Sequence, residues 1–284
     1  MKTVLEVITA TADYFARNKV ESPRTNIEHL LAHVLGKRRM DLYMEFDRPL
    51  GETELGPLRD LVRRRAEGEP LQHLLGTSEF MGLVLGCDKR ALIPRQETEQ
   101  LCEILLAEAK KEECTWKRGH IVDVGTGSGC IALALAKALP EARVTAVDFI
   151  DEALALAAEN VARAGLGERV TLKKSDLLAG VEGPIDLLVA NLPYIPTAEI
   201  PGLQREVLRD PRTALDGGPD GLTLVRRLLA EAEGKLVPGA RVALELAEGQ
   251  PSLMAGELSA TAFREVAVMK DYAGIERFLL ATRG

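Results

Sequence analysis

The sequence predicts an α/β protein: a doubly wound, mostly parallel sheet of seven strands, preceded by a small all-helical domain. Three observations carry this. From His120 onward, short apolar and partly β-branched runs alternate with stretches of helical period, the pattern of βαβ units. A glycine-rich turn, Asp123-Val124-Gly125-Thr126-Gly127-Ser128-Gly129, joins the first such run to the helix after it. Before residue 77, apolar positions recur only at helical spacing.

In the first domain, residues 1–76, Val4, Leu5, Ile8, Ala12 and Phe15 mark one helix, and Ile27, Leu30, Leu31, Val34 and Leu35 a second. Ser22-Pro23 separates them and Gly36 closes the second as a C-cap. Asp41–Phe46 reads as a short helical turn, and Glu52–Glu67 as a further helix ending at Gly68. Lys37-Arg38-Arg39 and Arg63-Arg64-Arg65 are either solvated helix faces or a docking surface for an acidic partner. Residues 77–94 form a connector. Phe80–Gly86 and Arg90–Ile93 read as two short strands of a hairpin around Gly86-Cys87-Asp88-Lys89. Arg95 and Glu97 then lead into an amphipathic helix, Glu99–Lys111, with Gln96 or Thr98 as its cap.

The third region, residues 95–284, carries the sheet. Ile121–Val124, Arg143–Asp148, Arg169–Lys173, Ile185–Ala190 and Ala240–Leu246 are the expected parallel strands. The expected helices are Ile131–Leu139, Asp151–Arg163, Gly221–Glu233 and Pro251–Leu258. Phe263–Met269 and Arg277–Thr282 read as an antiparallel pair closing one edge.

Composition narrows the function. The chain has 284 residues, 46% of them hydrophobic and 28% charged, with a net charge of −7. A negative balance argues against a general polyanion binder, because such affinity comes mainly from phosphate neutralisation. Cys87, Cys102, Cys114 and Cys130 form no C-x-x-C pair and have no His cluster nearby, so neither zinc nor a disulfide framework is indicated. Glu6 and Asp13 interrupt the apolar N-terminus, which spoils a signal peptide, and no run approaches the roughly 18 uncharged apolar residues of a membrane span. A cytoplasmic, monomeric protein is expected.

The chemistry gathers at strand ends. Ile185–Ala190 is the kind of run that is buried on both faces of a parallel sheet, and Asn191 stands where it runs out. Leu192, Pro193, Tyr194, Ile195 and Pro196 follow. Pro193 cannot continue the ladder, so Asn191 is held at the carboxyl edge, where open α/β sheets place their ligands. An amide side chain, a fixed carbonyl and an aromatic ring together suit a planar amide or amine. The glycine turn lacks the spacing of a dinucleotide fingerprint: its third glycine comes one residue early and Cys130 stands where it would be. Pyrophosphate therefore fits poorly, which disfavours an NAD-dependent oxidoreductase, whereas Asp123 suits a ligand carrying an ammonium group. Asp148, 19 residues beyond Gly129, is placed to accept ribose hydroxyls, and Asp176-Leu177 to hold an adenine edge and face. Three acids at successive strand ends beside a glycine loop point to a nucleoside-bearing cofactor.

Asp123–Gly129, Asp148 and Asn191-Leu192-Pro193-Tyr194 resemble the class I S-adenosylmethionine-dependent methyltransferases that alkylate planar nitrogen. More narrowly, Gly68–Gln72, Glu79-Phe80, Ile93–Glu99, Ala214–Gly221 and Asp271–Arg277 resemble the release factor glutamine N5-methyltransferases, and the similarity spans nearly the whole chain. It implies a Rossmann-like methyltransferase that methylates the glutamine of the Gly-Gly-Gln loop in class I peptide-chain release factors. The helical domain would recognise that substrate, and no metal would be needed. The implied cofactor residues are Asp123, Gly125, Thr126, Gly127, Ser128, Gly129, Asp148, Asp176, Leu177 and Asn191. Asn191, Leu192, Pro193 and Tyr194 would carry catalysis and, with Arg95 and Glu97, hold the substrate. The family usually has proline where Leu192 and Gln96 stand. Leucine keeps the backbone carbonyl the reaction would use and loses only proline's fixed φ. The alternatives are a nucleic-acid methyltransferase acting on adenine N6 or guanine N2, disfavoured by the acidic balance, and a non-catalytic binding protein that kept the fold.

Overall fold

The computed structural model describes residues 2–258 and 261–284. The chain divides into two compact units: Met1–Thr77 together with Gln204–Arg209, and Ser78–Leu203 together with Asp210–Gly284.

The first unit is helical: α1 (Val4–Arg17), α2 (Pro23–Leu35), a 3₁₀ turn at Arg39–Met44, α3 (Glu52–Ala66) and α4 (Leu71–Leu75). Thr3 and Glu6 form a capping box at the start of α1, and Gly36 ends α2 in the left-handed conformation, as its position in the sequence indicates. Its core is built from Val4, Ile8, Phe15, Ile27, Leu30 and Leu31; Val7 faces inward, and Leu5 is exposed despite its helical spacing. The two basic clusters are committed within this unit. Arg38 pairs with Asp41, Arg39 with Glu28, Lys37 with Glu45, Arg63 with Asp60 and Glu67, and Arg64 with Glu69. Arg65 is buried, donating to Asn26 Oδ1 at 2.7 Å and pairing with Glu206 at 3.1 Å.

The second unit opens with a two-stranded sheet, β1 (Thr77–Phe80) and β2 (Leu83–Gly86), turned by Met81 and Gly82 at φ 48° and 68°. Positive φ at both turn residues gives a twist that matches the strands. This corrects the expected hairpin: Arg90–Ile93 forms no strand. Its turn is tied by Asp88, whose carboxylate accepts from the Arg90 backbone N–H at 3.0 Å and from its guanidinium. The register was misread because methionine does not announce a positive φ, whereas Gly86 resembles a turn residue.

The main sheet contains β3 (His120–Val124), β4 (Arg143–Asp148), β5 (Val170–Lys174), β6 (Ile185–Ala190), β7 (Leu236–Glu245), β8 (Phe263–Lys270) and β9 (Glu276–Arg283). Their spatial order is β5-β4-β3-β6-β7-β9-β8, with β9 antiparallel to β7 and to β8 and the remaining pairs parallel. This is the expected doubly wound sheet with an antiparallel edge. β7 starts earlier than the sequence indicates, because Pro238 and Gly239 fall in a register shift opposite Ile185–Leu187 and do not end the strand. Alternate residues of each strand feed two cores. Ile121, Val144, Leu187 and Ala243 pack with α5 (Gln96–Ala109) and α6 (Cys130–Ala138). Val122, Val147, Leu188 and Val242 pack with α8 (Thr223–Ala232) and α9 (Gln250–Leu258). The helix at Gln96 starts earlier than expected. Arg95 is its N-cap and donates no side-chain cap, and neither Gln96 nor Thr98 serves as one.

One buried amide ties the hairpin to the glycine turn. On α7 (Asp151–Ala164), Asn160 accepts from Gly86 N–H at 2.6 Å and donates to Gly86 O at 3.1 Å and Ser128 O at 2.9 Å. Replacing it with alanine strands three buried backbone groups. Asn160→Ala is therefore expected to cost about 2–4 kcal/mol of stability. Trp116, the chain's single tryptophan, is buried in the core beneath α5, so its fluorescence in urea titration reports this unit directly. A loss below about 1 kcal/mol would contradict the bracing role.

Candidate active site

The register of the parallel strands sets up the site. Val124 pairs with Val147 and with Ala190, and Ala190 pairs with Leu244. The next residue on each strand, Gly125, Asp148, Asn191 and Glu245, therefore lies in one row at the carboxyl edge. β3 is flanked by β4 and β6, so the row spans the point where the chain's winding reverses, the usual ligand crevice of such sheets. A cleft of about 710 Å³ opens above it.

The glycine turn forms the inner wall. Gly125 N–H and Thr126 N–H both donate to Val147 O, at 2.9 and 3.0 Å, and Gly127 N–H donates to Asp148 Oδ2 at 2.9 Å. Gly125 has φ 70°, and a Cβ there would sit 2.8 Å from Leu192 Cδ2. The turn and the loop after β6 are thus packed directly together. Asp123 lies beneath, fully buried, and does not line the cleft. Its Oδ2 accepts from the Thr126 hydroxyl at 2.6 Å and from Ala132 N–H at 3.1 Å, while its buried Oδ1 has no hydrogen-bond partner among the described residues. Burial pushes this carboxyl up to about 7, against the two bonds that favour its charged form.

Of the residues singled out from sequence, Gly125, Thr126, Gly127 and Ser128 line the cleft. So do Asp148, Asp176, Leu177, Arg95, Asn191, Leu192 and Pro193. Asp123, Gly129, Glu97 and Tyr194 are not on its wall. Asp148 holds the turn: besides Gly127 it accepts from Ile150 N–H at 2.9 Å, and burial raises its pKa. Asp176 is exposed and paired with Arg227 at 3.0 Å, a cleft residue that sequence reading missed. Arg95 is anchored by buried Asp210 at 2.7 Å.

The loop after β6 is held from below by the glycine-rich segment that follows it. Ile195 N–H donates to Leu215 O, Gly217 N–H to Ile195 O, and Gln250 Nε2 to Tyr194 O. A Cβ on Gly221 would fall 2.1 Å from Tyr194 O, so only glycine permits this contact. Burial, followed by the nearby Glu245 carboxyl, raises the Tyr194 phenol well above its ordinary range, so it stays protonated. Asn191 Nδ2 donates to Thr98 Oγ1 at 3.1 Å, and the Thr98 hydroxyl donates to Glu245 Oε2 at 2.7 Å. Thr98 and Glu245 were not legible as site residues. Glu245 is almost fully buried, and desolvation raises its pKa to about 7.

Residues 6–76 match the PrmC N-terminal domain, and residues 95–227 the Methyltransferase small domain. Over 277 residues, 97% of this chain and 95% of the relative, the sequence is 43% identical to a release factor glutamine methyltransferase of Geobacter sulfurreducens. Over 278 residues, 98% of each chain, it is 41% identical to one of Deinococcus radiodurans. The chain belongs to the release factor glutamine methyltransferase family. Its fold is shared more widely. A ribosomal protein L11 methylase structure from Lactobacillus delbrueckii aligns with a TM-score of 0.50 at 24% identity, covering 69% of this chain and 83% of that one.

The buried Asp123 makes the stability of this methyltransferase depend on pH. Its folded pKa lies above that of an unfolded aspartate, so the folded state binds its proton more tightly. The resulting stabilisation is complete below about pH 4 and is lost as pH rises towards 7. Asp123→Asn keeps both accepted bonds through its remaining oxygen and does not titrate. Relative to wild type, it should gain about 1–3 kcal/mol between pH 4.5 and 7.5. Urea unfolding at the two pH values, without cofactor, checks this; a pH-independent difference would refute the assignment.

Proposed function

We propose that the enzyme methylates the side-chain amide nitrogen, N5, of the glutamine in the Gly-Gly-Gln segment of class I peptide-chain release factors. S-adenosylmethionine would be the donor and the cytoplasm the place of action. The observation that carries this reading is the orientation of Asn191. Its Nδ2 is engaged with Thr98, which leaves Oδ1 as the atom offered to the cleft.

The residues fit the donor. Asp148 and Asp176 supply acceptors for hydroxyls and an adenine edge, and the absence of a side chain on Gly125 lets the inner wall close against Leu192. The orphaned Asp123 Oδ1, buried beneath the turn, supplies negative charge for a cationic ligand. S-adenosylmethionine supplies an electrophilic methyl on a sulfonium centre. The protein's task is to present a poor nucleophile to it. An amide lone pair is delocalised, and positive charge grows on nitrogen as it is alkylated. Asn191 Oδ1 and the Leu192 carbonyl each accept one amide N–H, aiming the nitrogen and stabilising that charge. As the N–C bond forms, the methyl–sulfur bond breaks, S-adenosylhomocysteine leaves and the nitrogen sheds one proton to solvent, giving a neutral N-methyl amide. Arg95, which lines the cleft beside Asn191 and Leu192, flanks the bound glutamine. The neighbouring nucleic-acid reading has no observation in its favour here.

Labelled S-adenosylmethionine incubated with a purified release factor should label the factor, and not the same factor with its Gly-Gly-Gln glutamine replaced. Label on both would refute the assigned atom. Asn191→Ala should lower kcat by about 100-fold or more, with cofactor Kd within about fivefold of wild type. Activity near the wild-type level would rule out the role given to Asn191. Leu192→Pro should keep turnover within a few fold, because the carbonyl is retained.

A further inference from the structure

An asparagine amide has two chemically opposite ends, and only one of them serves as an acceptor for a substrate N–H. Something must therefore decide which end faces the cleft. We propose that Thr98 and Glu245 are positioning residues for methyl transfer, a hydroxyl–carboxylate relay that fixes the Asn191 amide with Oδ1 towards the substrate. The inference rests on the amide-methylation reading above and adds residues that touch neither substrate nor donor in that reading.

The argument is one of counting protons. A threonine hydroxyl has one proton to give and lone pairs to receive. Thr98 lies on α5, fully buried, and gives its proton to Glu245 Oε2 at 2.7 Å. Only lone pairs are then left for Asn191, which must present Nδ2, as it does at 3.1 Å. This contact rejects the flipped amide, in which Oδ1 would face an oxygen lone pair of Thr98. A purely structural role would not need a charge. Glu245 is only 2% exposed, and the Arg277 guanidinium, which favours its charged form, is engaged with Leu246 O at 3.2 Å and Asp271 at 3.6 Å. In its ionised form Glu245 can only accept, so its desolvation cost is set against one fixed orientation of the chain of bonds.

The test separates positioning from packing. Thr98→Val preserves shape and removes the hydroxyl; Thr98→Ser restores it. Steady-state kinetics with the release factor and calorimetric titration with S-adenosylmethionine are measured for both. Thr98→Val should lose about 10–100-fold in kcat, with KM for the release factor and cofactor Kd within about twofold of wild type. Thr98→Ser should recover most of that loss. Glu245→Gln combined with Thr98→Val should cost little more than the worse single change, since both break one relay. The inference is overturned by full turnover in Thr98→Val, by a parallel loss of cofactor binding, or by failure of serine to rescue. A wild-type enzyme that does not label the release factor at all would instead overturn the underlying reading.

Discussion

The cleft depends on one constraint, the shared register of β3, β4, β6 and β7. Parallel strands whose ends are level bring four consecutive carboxyl-edge positions into one line, though they lie far apart in sequence. Each place in that line holds a different capability. Gly125 provides a close approach, Asp148 a carboxylate that also fastens the glycine turn, Asn191 an amide, and Glu245 a buried carboxyl joined to that amide through Thr98. A slip of one residue in any of these strands would turn its side chain to the other face and dismantle the row. The two hydrophobic cores, which take alternate residues of each strand, are what make such a slip costly.

Much of this was legible in the sequence because the signals are local. The glycine turn, the apolar run ending at Asn191 and the acid ending β4 each occupy fewer than about ten residues and carry their own meaning. The misreadings have physical causes. The hairpin was displaced because its turn uses Met81, whose positive φ comes from its place in the strand pair and not from its chemistry. Thr98 looked like a helix cap because a threonine near a helix start usually is one. Its partner is Glu245, 147 residues away, and only the fold brings the two together. Glu245 itself is a polar residue at the end of an apolar strand, which in sequence is indistinguishable from a solvent-facing one.

The basic clusters of the helical unit show the same limit from the other side. A run of like charges reads as a free surface, yet these guanidinium groups meet carboxylates a few residues away in the chain or, for Arg39, Glu28 on α2. Arg65 is withdrawn from solvent altogether by Asn26 and Glu206. Exposed pairs of this kind contribute little stability each. Any docking of a protein substrate on this unit must therefore work with a surface of mixed sign.

Carboxylates around the cleft follow a single electrostatic logic. Asp123 and Glu245 are buried with few bonds, and burial, reinforced by the neighbouring Asp148 and Glu97 carboxylates respectively, drives both towards neutrality near pH 7. Asp148 is shifted the same way. Such groups are unfavourable in an empty fold and become favourable when positive charge arrives, since the same low dielectric that penalises them strengthens attraction to a cation. In the reaction proposed above, a sulfonium donor brings that charge in, and alkylation passes it transiently to the amide nitrogen before a proton is lost. The fold thus accepts destabilising acids beside its glycine turn because the reaction proposed for it is cationic from the bound donor through the transition state of methyl transfer.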